Sequence, residues 1–96
     1  MITRLFRVQI DPEKRAEFEA KFEDVSIKAV EKQPGFLGVE IGRPTQWKPD
    51  EYVMISRWEN EAALKEFVGD NWNEAHIPPG MDVFIKECWL DHFYDW

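Results

Sequence analysis

Cysteine and histidine are scarce in this chain, which has one cysteine, Cys88, and two histidines. A single cysteine excludes an internal disulfide and gives no sign of an oxidising compartment, so we expect a cytoplasmic location. With so few thiol and imidazole groups the sequence offers no cluster of the kind that holds zinc. No metal site is therefore predicted.

Long apolar runs are also missing from the sequence. The longest run is only a few residues, far short of the roughly 20 residues that a membrane-spanning helix requires. The N-terminal stretch MITRLFRVQIDPEKR carries charges early and has no apolar core of the signal-peptide kind. Neither export nor a membrane span is expected.

Positive charge is in short supply, with 12 basic against 19 acidic residues and a formal net charge of −7. Such a chain repels phosphate backbones and anionic lipid, so nucleic acid and membranes are not expected partners. The sequence also lacks a glycine-rich phosphate loop, an HExxH motif and a nicotinamide or flavin fingerprint. The composition favours a neutral or apolar small ligand and no cofactor.

Apolar and aromatic residues are plentiful, at 44% and 15% of the chain, and the aromatic residues include five tryptophans. This composition is typical of a packed globular protein. A chain of 96 residues is long enough for one core that buries roughly two-thirds of the unfolded surface. We expect a single domain over residues 1–96.

The hydrophobic pattern of the first third of the chain predicts a strand followed by a helix. Apolar residues alternate over positions 2–10, with Arg4 as the one charged residue on the apolar side. Asp11 as an N-cap and Pro12 at the first helical position then predict a helix over about residues 12–32. The QPGF sequence that follows ends it.

The remaining two thirds predict a hairpin, a second helix and a fourth strand. FLGVEIGRP and YVMISRW are the two strands of the hairpin, and TQWKPDE is their loop. Asn60 as an N-cap predicts a helix that Gly69 interrupts before a short helical turn over residues 71–76. Pro78 and Pro79 prevent any further helix, and the alternation in MDVFIKECWLDHF predicts the last strand.

The order βαββαβ predicts an α+β fold of the ferredoxin-like kind, a four-stranded antiparallel sheet with two helices on one face. Both sides of the third predicted strand are apolar, since Tyr52, Met54 and Trp58 alternate with Val53 and Ile55. A solvated sheet face would be more polar than this. We therefore expect a homodimer in which two sheets pack face to face.

Four segments resemble the antibiotic biosynthesis monooxygenase family, whose members are dimeric α+β barrels. They are DPEKRAEFEAKF, QPGFLGVEIGR, YVMISRWENEAALKEF and the Ala75–His76 pair that closes the second predicted helix. The resemblance extends nearly from end to end, and PGFLG and SRWENEAALKEF are its most specific parts. The family includes quinone-forming monooxygenases and haem-degrading enzymes, so the resemblance defines the fold more narrowly than the reaction.

The resemblance also suggests site residues. His76 matches the histidine that binds iron in the haem-degrading branch, whereas the tryptophan and asparagine positions of that branch fall on Phe67 and at about Phe6. Two of the three positions are thus replaced, which favours the branch that oxidises polycyclic phenols without metal or flavin and keeps haem as the alternative. Trp58 is most like the common pocket tryptophan of the family.

His76 is the candidate catalytic base, because imidazole titrates near neutrality and can take a proton from a phenol. A favourable charge at the end of a helix is the other explanation for it. Asn71 and Trp72, on the same predicted turn, are candidate substrate-binding residues that would supply hydrogen bonds and a stacking plane. Trp72 could instead serve packing alone.

Arg4 is interpreted either as a substrate-orienting group or as one half of a salt bridge to an interior carboxylate such as Glu40 or Glu87. Cys88 is expected to be an inert small hydrophobe and His92 to lie at the surface or at the dimer edge. The C-terminal sequence DHFYDW carries three aromatic residues. We expect it to dock on the partner subunit or over the pocket.

The leading functional hypothesis is a small cofactor-independent monooxygenase with an aromatic or quinol-like substrate between helices and sheet. Trp58, Phe67 and Trp72 would be the apolar walls, and His76 would form a carbanion-like substrate that gives an electron to dioxygen. One alternative is a non-catalytic dimer that binds haem or another small molecule through His76. The other is a purely structural dimer with a filled interior.

Overall fold

The computed structural model describes residues 1–96 and contains four strands and two helices in the predicted order. The strands are β1 (Ile2–Ile10), β2 (Phe36–Gly42), β3 (Glu51–Trp58) and β4 (Ile85–Tyr94), and the helices are α1 (Arg15–Val30) and α2 (Glu61–Val68). All strand pairs are antiparallel, in the spatial order β2-β3-β1-β4. The ferredoxin-like α+β prediction is confirmed. Neither helix is both long and apolar enough to cross a membrane.

Local sequence signals account for the start of each helix. Asp11 Oδ1 accepts a hydrogen bond from the amide of Glu13 at 3.1 Å, which begins a short 3-10 helix at Pro12–Lys14 that leads into α1. Asn60 Oδ1 accepts from the amide of Ala63 at 2.9 Å and caps α2. Both side chains satisfy amides that have no partner within the helix, as the sequence predicts.

The core lies between the sheet and the two helices and consists of two adjoining groups of side chains. The second half of α1 packs on α2 and the sheet through Ile2, Val30, Trp58 and Leu64. The first half of α1 covers the other group, which comprises Val8, Ile10, Phe18, Phe22, Tyr52, Met81 and Phe84. Met81 and Phe84 come from the connection between α2 and β4, so this connection completes the core.

The predicted helical turn over residues 71–76 is wrong. Helix α2 ends at Val68, and Gly69 has φ 88° and ψ −179°, a backbone conformation that is essentially restricted to glycine. Within residues 71–76 the one turn bond runs from the Glu74 amide to the Asn71 carbonyl, at 2.9 Å. His76 therefore does not lie at a helix end, and the helix-dipole explanation for it is wrong as well.

The C-terminal sequence continues the last strand to Tyr94, so most of it is not an unanchored tail. Strand β4 extends to Tyr94 and pairs with β1 along its whole length, from Ile2↔Tyr94 to Ile10↔Ile85. It begins later than predicted, because Asp82–Phe84 form a 3-10 helix that buries Phe84. Backbone pairing with β1 satisfies the amides that a free tail would leave to solvent.

The Gly35→Ala substitution should destabilise the fold more than Gly80→Ala. Both glycines have positive φ, 78° and 88°, so each alanine carries backbone strain. Only at Gly35 would the added Cβ overlap the Cβ of Ala63 on α2, whereas nothing lies within 4 Å at Gly80. We expect the free energy of unfolding in urea to differ by about 1–3 kcal/mol between the two variants. Equal losses would contradict close packing of this turn on α2.

Candidate functional site

A small apolar cavity lies in the cleft between α1, β1 and the connection that precedes β4. Its volume is about 20 Å³, room for about one water molecule, whereas ligand pockets typically measure about 300–1,000 Å³. The lining residues are Phe6, Val8, Phe18, Phe22, Val25, Ser26, Ile77, Pro78, Met81 and Ile85. The cleft exists where a helix–sheet pocket was expected, but side chains close it.

Three aromatic rings form a row that ends at His76, the residue before Ile77 of the cavity lining. Trp58 is fully buried, donates from Nε1 to Ser56 Oγ at 3.1 Å, and stacks on Phe67 with 5.1 Å between ring centroids. The edge of Phe67 meets the exposed His76 ring at 5.5 Å. The row connects the core to the surface, with the imidazole at the solvent end.

Arg4 is the one charged residue in the buried set, with 5% of its surface exposed. Nη1 donates to the carbonyl of Trp72 at 2.5 Å and bonds His92 Nε2 at 2.9 Å, and Nη2 donates to the carbonyl of Glu74 at 3.2 Å. Burial lowers the pKa of the Arg4 guanidinium to about 10. Three acceptors compensate part of the cost of taking this charge out of water.

The salt bridge predicted for Arg4 is wrong. Glu40 instead binds Arg57, at 2.9 Å. Glu87 pairs in register with Gln9, whose side chain alternates to the side of the sheet away from the helices. Because β1 alternates, Arg4 can reach only groups on the helical side, and these groups are carbonyl oxygens and an imidazole.

His92 was expected at the surface or at the dimer edge. In the structure it is half-buried and bonds Arg4. It pairs with Arg4 across β1 and β4, and its ring lies edge-on to Trp72 at 4.7 Å. A guanidinium only donates, so Nε2 must be the acceptor and the imidazole is neutral with its proton on Nδ1. Burial, and then the charge of Arg4, lower the pKa of His92, and Asp91 opposes part of this shift.

A second polar cluster, formed by Arg15, Glu19 and Tyr52, lies at the start of α1. Tyr52 is buried, donates to Glu19 and accepts from Arg15 Nη1 at 3.1 Å. Burial, and then the bond to Glu19, raise the pKa of Tyr52. An open groove of about 290 Å³ beside it includes the exposed Arg43. The cluster ties the start of α1 to β3.

The structure places five of the six residues proposed from the sequence in two groups and leaves Asn71 apart from both. Trp58, Phe67 and His76 form the ring row, and Trp72 lies with Arg4 and His92. Asn71 is exposed, and its carbonyl accepts from Glu74. None of the six lines the cavity, but His76 immediately precedes Ile77 and Pro78, which do.

Two polar residues near the proposed site, Ser26 and His92, were given no site role from the sequence. Ser26 is buried and is the one hydroxyl group of the cavity lining. It continues the i, i+4 series of Phe18 and Phe22, and this spacing could have revealed it. The position of His92 depends on the register between β1 and β4, which the sequence does not specify.

The fold and the cleft define a ferredoxin-like α+β domain with a candidate small-ligand site between helix and sheet. The model of the antibiotic biosynthesis monooxygenase family matches residues 1–75, and the chain belongs to this family. The match includes Arg4, Trp58 and Phe67 and ends one residue before His76.

Several solved structures share the fold. The heme-degrader MhuD from Mycobacterium tuberculosis, with two hemes bound in its active site, is 21% identical with a TM-score of 0.71, over 97% of this chain and 93% of that one. A variant of SnoaB, a cofactor-independent oxygenase from Streptomyces nogalater, is 21% identical with a TM-score of 0.73, over 98% and 91%. PA3566 from Pseudomonas aeruginosa is 14% identical with a TM-score of 0.75, over 99% and 93%. No curated protein matches the sequence.

The stability of the protein should fall as pH drops below the ordinary histidine pKa of 6.5. The pKa of His92 is lower in the folded than in the unfolded chain, so the unfolded chain binds more protons in this window and stability is lost there. We expect urea unfolding to give a lower free energy at about pH 5.5 than at about pH 7.5. In His92→Gln, which keeps an acceptor for Arg4 but does not titrate, this difference should shrink. An unchanged difference would contradict the role given to His92.

Proposed function

We propose that the protein is a small cofactor-independent monooxygenase that acts on an aromatic or quinol-like substrate in the helix–sheet cleft. The observation that carries this proposal is the apolar cavity whose outer wall, Ile77 and Pro78, follows directly on the exposed imidazole of His76. Family membership supports an oxygenase, and the cofactor-independent SnoaB shares the fold. The single cysteine is the reason for a cytoplasmic location in this proposal.

His76 is the proposed base. Its ring meets Phe67 by an edge and is otherwise exposed, so a nitrogen is free to accept a proton from a phenol or an activated methylene. The resulting carbanion-like substrate gives an electron to dioxygen. Conversion of a methylene to a carbonyl by one O₂ releases one water, so no external reductant is required.

The apolar lining of the cleft would exclude water from the reacting carbon. Phe67 and Trp72 do not line the closed cavity, and they are proposed to become walls once the cleft widens, with Trp58 stacked behind Phe67. The exposed amide of Asn71 is proposed to bind a substrate oxygen. Arg4 already donates to three protein acceptors, so its proposed role is to position the wall and not to bind substrate directly.

The cleft has to widen before any aromatic substrate enters it. The cavity of about 20 Å³ is more than tenfold smaller than a typical ligand pocket of about 300 Å³ or more. Two of its walls are regular elements, α1 and β1, whereas Ile77, Pro78 and Met81 lie outside helices and strands. Movement of these three residues is the proposed route of access.

Haem does not fit the cleft as it stands. The porphyrin would need a pocket far larger than about 20 Å³. Phe6, which lines the cavity, offers no hydrogen-bond donor to a bound ligand. A haem-binding dimer that uses His76 is the second candidate function, favoured by the exposed imidazole and by the haem-bound MhuD of the same fold.

We also propose a homodimer formed through the sheet face opposite the helices. Leu5 and Ile55 pair across β1 and β3 on this face, next to the Arg7↔Val53 and Arg7↔Trp89 pairs. The face is apolar at its centre, and two of its arginines are paired with carboxylates, Arg7 with Asp91 at 3.0 Å and Arg57 with Glu40 at 2.9 Å. Such a face is suited to a second copy, because apolar surface of this kind is usually covered.

Wild-type protein should consume oxygen with anthrone- or quinol-type compounds, above the protein-free rate. Substitution His76→Ala removes the base and should lower the rate about 10²–10⁴-fold in an oxygen electrode. Asn73→Ala is the matched control, because Asn73 is exposed on the same segment and has no assigned role.

Full activity of His76→Ala would contradict the assignment of the base, and no uptake across the panel would contradict the oxygenase. A parallel titration with haemin tests the second candidate function, which is haem binding through His76. A Soret shift that His76→Ala abolishes would favour haem binding, and the absence of a shift would remove its support.

The Ile55→Glu substitution should convert the dimer to a monomer. It places a charge at the centre of the proposed interface, where burial without a partner costs several kcal/mol. The control is Val83→Glu, at a side chain that is already exposed. Sedimentation velocity should show a dimer for the wild type and the control. A monomeric wild type would contradict the proposed interface.

A further inference from the structure

The segment of residues 70–80 crosses the cleft with little hydrogen bonding to the rest of the chain. Its internal turn bond joins Glu74 to Asn71, and Pro78 and Pro79 have no amide to donate. No backbone hydrogen bond connects residues 70–80 to the sheet. The segment instead packs on the two core groups through Ile77 and Trp72, and on Phe67 through His76.

The Arg4 side chain supplies the hydrogen bonds that hold this segment to the sheet. Its two terminal nitrogens donate to the carbonyls of Trp72 and Glu74, and no other side chain bonds residues 70–80. Both bonds involve a charged donor shielded from water, which makes them stronger than ordinary amide bonds. A single residue, Arg4, therefore makes all the side-chain hydrogen bonds that hold the segment against the sheet.

His92 also bonds the Arg4 guanidinium. The Nη1 atom that reaches Trp72 also bonds His92 Nε2, at 2.9 Å, and Trp72 packs its ring on that imidazole. The charged groups that face His92 are Arg4 on β1 and Asp91 on its own strand. Protonation would turn the Nε2 acceptor into a donor beside a guanidinium that can only donate.

We propose that Arg4 is a positioning residue that latches residues 70–80 closed over the cleft, and that protonation of His92 releases the latch. The latch comprises Arg4, His92 and the carbonyls of Trp72 and Glu74. When it opens, Ile77 and Pro78 leave the cavity wall and His76 moves with them. A role of the latch in controlling substrate access rests on the proposed function, whereas the opening of residues 70–80 does not.

Cleavage of the folded protein by glutamyl endopeptidase after Glu74 tests the latch, with mass spectrometry to identify the cut. The scissile bond carries the carbonyl that Arg4 holds, and its cleavage rate follows the population of the open segment. At about pH 7.5, Arg4→Met should raise this rate about tenfold or more, the factor expected for loss of a charge-assisted hydrogen bond. Arg43→Gln, which removes an exposed cation elsewhere, should leave it unchanged.

The pH profile uses a chain with Arg4 intact, so it remains decisive if Arg4→Met does not fold. Wild type and His92→Gln should be cut at equal rates at about pH 7.5, and wild type should be cut several-fold faster at about pH 5.5. Comparison at one pH cancels the pH response of the protease.

Two results would overturn the latch: an unchanged rate in folded Arg4→Met, or the same ratio of wild type to His92→Gln at both pH values. Neither measurement uses a ligand or turnover. A failed oxygen-uptake panel would thus remove the proposed function and leave the latch standing, and the reverse result would remove the latch alone.

Discussion

A guanidinium placed in the middle of an apolar row is the constraint on which this structure depends. Strand β1 turns Ile2, Val8 and Ile10 toward the helices, and the same alternation turns Arg4 there. A buried cation without a carboxylate is costly, so the chain must bring it other acceptors. It brings the carbonyls of residues 72 and 74, and this requirement leads the connection after α2 across the cleft.

This arrangement explains why the cleft is narrow. Once Trp72 is held against β1, the chain runs on through Ile77 and Pro78 into the space beside α1, and Met81 enters the core. Any ligand must displace these side chains and pay for their exposure. If the open form is a minor population, the apparent affinity falls by that fraction. Changes at Arg4 would then alter ligand affinity without a contact to the ligand.

The sequence predicted the elements that short-range chemistry determines. Alternation identified the strands, and Asp11 and Asn60 marked both helix starts, because a capping side chain acts within three residues of itself. The segment after Gly69 was misread because its course depends on Arg4, nearly 70 residues away in sequence. The same holds for His92, whose side of the sheet is fixed by the register with β1. The grouping of the six proposed site residues was therefore not predictable from the sequence, because it depends on these long-range contacts.

The two arginines of β1 show how one strand serves two surfaces. Arg4 points to the cleft and Arg7, three positions on, to the opposite face, where it binds Asp91 at 3.0 Å and lies over Trp89. The Nε atom of Arg7 is buried with no hydrogen-bond partner, so this face also holds a cation whose hydrogen bonding is incomplete. In the proposed dimer the sheet of the partner subunit would cover the face that carries Arg7. The face that carries Arg4 stays covered by residues 70–80 of the same chain. Because alternation assigns each arginine to a single face, opening of the cleft and association through the sheet can be altered by separate substitutions in the same strand.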